Sequence, residues 1–246
     1  MLRNIKLTIE YDGTNFNGWQ FQPGLRTIQG EIQNFLKKIF KEDITLIGSG
    51  RTDSGVHAKG QVANFRTTST MSTLQMCRAF NNNLPEDIAI LSVEEVNLKF
   101  HAQHSAKRKT YRYTILNREP RSSLQRNFCL RFPYKLNLTL MRQEAKALVG
   151  RKDFKAFQAA SSTNPKDSIR RVYKLKITKQ GDFIYIDIEA NGFLYKMVRN
   201  IVGTLLEIGS GRLPKGSIKR ILKSKDRTTA GDTTQARGLC LLHVKY

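Results

Sequence analysis

The sequence predicts an α+β protein made of two ferredoxin-like halves, each running β-α-β-β-α-β with a mainly antiparallel sheet. Three observations point there. Strand-like and helix-like hydrophobic periods follow one another in that order, the whole order repeats after a polar basic stretch near residue 105, and each copy has the size of an ordinary domain. The halves expected from this repeat are residues 1–105 and 106–246, with sheets that join around a basic central cleft.

The first half opens with Ile5, Leu7, Ile9 and Tyr11, alternating as a half-buried strand does. Ile28, Ile32, Phe35, Leu36, Ile39 and Phe40 then recur at helical spacing behind a cap at Thr27. Short β-branched runs at 44–48 and 61–67 supply two strands. Ser72-x-x-Gln75 is a capping box, and it places Leu74, Cys77 and Phe80 on one face of a second helix. Ile88, Ile90 and Val93 complete the order.

The second half follows His104-Ser-Ala-Lys-Arg108. Tyr111, Tyr113 and Ile115 alternate on a strand, and a helix capped by Thr139 is expected to run to a C-terminal glycine at Gly150. Strands near 169–178 and 183–190 flank Gln180-Gly-Asp182, which has hairpin turn chemistry. A strongly apolar helix carries Met197, Val198, Ile201, Val202, Leu205 and Ile208. A short helix near 215–223 is an insertion, and 239–244 closes the half.

Charge narrows the partner. Forty-two Lys and Arg against twenty Asp and Glu give a net charge of +22, and the pI is near 10.2. That excess attracts polyanions, with nucleic acid ahead of a membrane surface. No apolar run approaches the roughly 18–20 residues of a membrane span, and the N-terminus has no apolar signal core. Cys77, Cys129 and Cys240 are odd in number and far apart, and neither Cys-x-x-Cys nor His-Glu-x-x-His occurs. The expectation is a cytoplasmic protein with no metal.

The stretch richest in chemistry is Gly48-Ser-Gly-Arg-Thr-Asp-Ser-Gly-Val-His57. Glycines 48, 50 and 55 are expected to permit positive φ and close approach to another molecule. Arg51 and Asp53 stand two residues apart on this loop and reach the same small volume. A dinucleotide fingerprint requires glycine where Asp53 stands, and a phosphate loop requires Lys and Ser/Thr in place of Val56 and His57. The loop is therefore a different device.

Tyr11-Asp-Gly-Thr-Asn-Phe-Asn-Gly-Trp-Gln20, Gly50-Arg-Thr-Asp-Ser-Gly-Val-His57, Lys109-Thr-Tyr-Arg-Tyr113 and Met197-Val-Arg-Asn-Ile-Val-Gly203 resemble the tRNA pseudouridine synthases of the TruA family. The similarity runs in the family's order from about residue 3 to the C-terminus. Departures at Ser49, Ser54, Gln235 and Cys240 remove no group the chemistry needs. The resemblance implies isomerisation of uridine to pseudouridine in the anticodon stem-loop of tRNA, typically at positions 38, 39 and 40. It also implies a homodimer and no cofactor.

The same resemblance distributes roles. A carboxylate can attack C1′ or the base as a nucleophile, or remove the ribose C2′ proton, and Asp53 is the carboxylate of the signature loop. Arg199 is expected to hold that carboxylate through its planar fork, the alternative being a snorkelling helix-end arginine. Arg51 is assigned either to the space left by a flipped uridine or to simple phosphate contact. Tyr111 would stack on the flipped uracil, with Tyr113 packing in the core, and Leu241 or Leu239 would line the base.

Asp12 and Trp19 read as architecture or RNA contact. The four histidines form no convincing ligand set, and the clusters 107–109 and 170–174 are either phosphate contacts or solvated faces. A passive RNA-binding protein accounts equally for charge and element order, but has no use for the Arg51–Asp53 loop. An RNA methyltransferase would need a cysteine nucleophile and a cofactor glycine loop, which the sequence does not supply.

Overall fold

The computed structural model describes residues 1–160 and 167–246. Chain contacts divide it into two compact units, Met1–Lys107 with Cys240–Tyr246, and Arg108–Leu239. The closing strand returns residues 240–246 to the first unit, although it follows the second in sequence.

In the first unit, β1 (Arg3–Tyr11) lies between β4 (Ile88–Val96) and β3 (His57–Thr67), antiparallel to both. One edge of β3 takes two further partners. The two-residue β2 (Ile47–Gly48) pairs antiparallel with Asn64 and Ala63. β10 (Leu239–Lys245) pairs in parallel at the other end, Cys240 opposite His57 and Leu241 opposite Ala58. Gly60 belongs to this close approach, since a β-carbon there would stand 2.6 Å from the Leu242 carbonyl oxygen.

Ile5, Leu7 and Ile9 are fully buried, as their alternation requires. α1 (Ile28–Phe40) begins at Thr27, whose side chain accepts from the Gly30 N–H. α2 (Thr73–Asn83) begins at Ser72 with both bonds of the capping box in place. Its buried face differs from the expected one: Met76 and Phe80 are in the core, while Leu74 is 59% exposed. Phe35 and Phe65, on α1 and β3, both pack on Phe80, and this fixes the rotation of the helix.

In the second unit the order is β5 (Arg108–Leu116), β9 (Phe183–Ala190), β8 (Ile169–Gln180) and β7 (Gly150–Asp153), all antiparallel. A short β6 (Leu130–Arg131) runs parallel to β5. The β8–β9 hairpin turns at Gly181, with φ of 56°, a left-handed value suited to glycine. α3 (Leu138–Ala145) starts earlier and stops sooner than its periodicity suggests. Asn137, not Thr139, is its cap, accepting from the Leu140 N–H at 3.0 Å. A tighter turn over Lys146–Leu148 then precedes Gly150, whose φ of 106° explains the glycine.

α4 (Met197–Gly209) is buried along nearly its whole length, which is why its sequence is apolar on every side but one. α5 (Ser217–Ser224) buries Ile218 and Ile221. Among the described residues no helix is long and apolar enough to cross a membrane.

Candidate active site

The glycine-rich loop spans the gap between β2 and β3, and most of its backbone is tied down. At its start, Ser49 is fully buried and its N–H donates to the Val62 carbonyl at 2.7 Å. The Gln61 side chain receives Ser49 Oγ–H at 2.7 Å and the Val62 N–H at 3.1 Å, and donates to the Gly50 carbonyl at 3.0 Å. Gln61 itself has no exposed surface. In the middle, Thr52 is 7% exposed; its hydroxyl lies 2.8 Å from the Tyr11 hydroxyl, and its carbonyl accepts the Trp19 N–H at 3.0 Å. Burial pushes the Tyr11 phenol well above its ordinary range, so both hydroxyls remain hydrogen-bonding groups. At its end, the Val56 N–H closes a turn on the Asp53 carbonyl at 3.2 Å.

Gly55 carries the positive φ, 75°, that this turn needs. The glycines do not all serve the expected purpose. Gly48 lies against Trp19, where a β-carbon would meet the indole at 2.6 Å. It therefore permits packing inside the protein rather than approach to another molecule.

The first motif is the floor of this loop. Gly18, with φ of 88°, packs against Thr52, Asp53 and Ser54, where a β-carbon would lie 2.7 Å from the Thr52 carbonyl oxygen. A β-carbon on Gly13 would overlap the Val56 carbonyl. Ser54 Oγ–H and the Gly55 N–H donate to the Phe16 carbonyl at 3.0 and 3.4 Å. Trp19 is 2% exposed, and Asp12 Oδ1 accepts both the Thr14 N–H and hydroxyl, so both have a place in the local architecture. His57 Nδ1 lies 3.0 Å from the Gly13 N–H and 3.0 Å from Asp12 Oδ1. Nδ1 accepts from Gly13 when it carries no hydrogen and donates to Asp12 when it does, one at a time.

On this base Asp53 is partly buried and Arg51 is exposed. Leu241, in the same unit, is 1% exposed on the strand that pairs beside the loop's exit into β3.

The second unit holds the other expected residues. Tyr111 is 8% exposed on β5, with its ring edge-on to Phe193 at 5.1 Å. Tyr113 is fully buried; its hydroxyl donates to the Gln235 carbonyl at 2.7 Å, and burial pushes the phenol up to about 12. Arg199 lies in the first turn of α4, half-buried, with Nε–H donating to the Thr234 carbonyl at 2.8 Å. Thr234 returns two bonds to the Arg199 carbonyl. This clasp holds the guanidinium at a helix N-terminus, where the helix dipole favours anions. Leu239 is 6% exposed.

The basic clusters divide. Arg108 pairs with Glu189 and lies over the Tyr173 ring, and Lys107, Arg171 and Lys174 are exposed. Burial pushes the Lys109 ammonium down to about 8. The His101 and His104 rings lie 4.1 Å apart with their planes tilted by 37°, and among the described residues no group of histidine, cysteine or acidic side chains could hold a metal. Sequence periodicity did not single out Gln61; its signal was a long polar side chain at a buried position inside a strand.

The family described as tRNA pseudouridine synthase matches residues 7–105 and 145–246. A tRNA pseudouridine synthase A of Thermoanaerobacter sp. (strain X514) is 47% identical over 245 residues, covering 100% of both chains. That of Caldicellulosiruptor saccharolyticus is 48% identical over 246 residues with the same coverage, and that of Bacillus pumilus is 43% identical over 98% of each. A solved Cbf5-Nop10-Gar1 complex aligns at a TM-score of 0.33 and 13% identity, over 82% of this chain and 54% of that one.

Proposed function

The chain belongs to the tRNA pseudouridine synthase family, and from that premise we propose that it acts on uridines 38, 39 and 40 of the anticodon stem-loop through Asp53. As a member it is a tRNA-uridine isomerase that forms pseudouridine. The reaction breaks the bond from C1′ to N1, turns the uracil and joins C1′ to C5. The hydrogen on C5 leaves as a proton and N1 gains one, so neither oxidant nor group donor enters the balance.

The pinned loop carries the assignment to Asp53. A carboxylate that attacks C1′ or the base, or that takes the C2′ proton, must be held within a fraction of an ångström of its target. The backbone on both sides of Asp53 is fixed by Thr52, Gly18 and the turn to Val56. Arg199 is the counter-charge in this reading, its fork oriented by Thr234. Tyr111 stacks on the flipped uracil, Leu241 lines it, and exposed Arg51 takes the place the base leaves. Affinity comes from the excess of Lys and Arg on phosphates. The reading includes a homodimer working in the cytoplasm, which sedimentation of the purified protein tests for its dimeric part.

Unmodified tRNA carrying tritium at uridine C5 tests the reaction. Rejoining through C5 releases the label to water, and sequencing of the product places it at 38, 39 and 40. A passive RNA-binding protein releases none, and release from another part of the tRNA overturns the anticodon assignment.

A further inference from the structure

We propose that Gln61 is a positioning residue for Arg51. The inference rests on the reading that Arg51 takes part in the reaction. Gln61 lies on β3, eleven residues beyond Gly50, and is wholly buried. Its Oε1 accepts Ser49 Oγ–H and the Val62 N–H, and its Nε2–H donates to the Gly50 carbonyl. The Gly50 carbonyl belongs to the same peptide plane as the Arg51 N–H, so this bond sets the direction in which the chain enters Arg51.

Among the described residues, the neighbouring bonds fall on either side of that plane. Ser49 is held by its own N–H on Val62, and Thr52 by Tyr11 and Trp19. Between them a glycine is followed by an exposed arginine, and glycine is the residue whose backbone resists rotation least. A buried amide with three bonds to adjacent loop and strand groups supplies a restraint on it. Core packing in a strand favours β-branched or aromatic side chains, as at the buried Val62 and Phe65 of β3. A glutamine at position 61 buries a polar amide, and its bonds tie the Ser49 hydroxyl and the Gly50 carbonyl to the strand backbone at Val62 and to the Tyr11 phenol.

A double-mutant cycle tests the proposal. Gln61→Met keeps the length of the side chain and removes its hydrogen bonds. Turnover in the tritium-release assay is expected to fall about tenfold or more, with KM for tRNA within about threefold. Gln61→Met combined with Arg51→Ala is expected to be no slower than Arg51→Ala alone, because a misdirected arginine and an absent one are equivalent. Losses that multiply overturn the proposal, as does full turnover in Gln61→Met. If Gln61→Met melts below the assay temperature, Gln61→Asn, which retracts the amide from Gly50, is read in the same cycle. Should Arg51→Ala prove fully active, the reading of Arg51 fails, and Gln61 is then judged by whether its own variant lowers turnover without lowering melting temperature: a fall confined to turnover shows a role outside Arg51 and overturns the proposal, as does no fall at all.

Discussion

The indole of Trp19 rests on the backbone of Gly48, so that a β-carbon at position 48 would come within 2.6 Å of the ring. One residue belongs to the first motif and the other begins the glycine-rich loop. The two segments are therefore one packed body, joined again by the Trp19 N–H on the Thr52 carbonyl.

Gly48→Ala is expected to lower both melting temperature and turnover, because overpacking of a close-packed contact costs about 1–3 kcal/mol. Thermal unfolding measures the first and tritium release the second. Adding Trp19→Phe, which shrinks the ring, restores part of the stability. A fully stable and active Gly48→Ala protein would show that the loop tolerates displacement from its floor.

Asp53→Asn keeps the shape of the side chain and removes its charge. Turnover is expected to vanish while tRNA affinity stays within about tenfold, or 1.4 kcal/mol. In the proposed reading, affinity is spread over many phosphates and chemistry rests on one carboxylate. Substantial tritium release by the asparagine variant would make Asp53 a turn residue only.

Arg199→Ala removes the guanidinium held by Thr234. If that group balances the Asp53 carboxylate, breaking the pair costs about 3–5 kcal/mol in total, shared between stability and turnover. Arg199→Lys keeps a positive charge without the fork and is expected to fall between the two. Unchanged turnover and melting temperature in Arg199→Ala would leave Arg199 a helix-end side chain without a part in the reaction.

Alkaline stability follows from the buried phenols. Desolvation raises Tyr113 to about 12 and pushes Tyr11 and Tyr246 up as well. A phenol whose folded pKa is raised keeps its proton longer in the folded chain. Its contribution is complete below the unfolded value of about 10 and is lost as pH rises through the folded value. Melting temperature is therefore expected to fall steeply between about pH 10 and 12. Absorbance at the phenolate band should show some of the eight tyrosines ionising only with unfolding. A titration in which all eight ionise together near their ordinary value would contradict the burial.

Local pattern determined much of this chain. The alternation of Ile5, Leu7 and Ile9, the cap at Thr27, the box at Ser72 and Gln75, and the glycine turn at 181 are read within a few residues of themselves. The loop around Arg51 and Asp53 was legible too, because its glycines and charges are contiguous. Tertiary structure alone decided which residues hold that loop. Trp19 against Gly48, Tyr11 on Thr52 and Gln61 on Gly50 join positions 11 to 41 residues apart, and no hydrophobic period encodes such a separation. It also decided that Met76 rather than Leu74 faces the core, and that residues 240–246 return to β3. Strand register and helix rotation are set by what each side chain meets across the core, and only the folded chain brings those partners together.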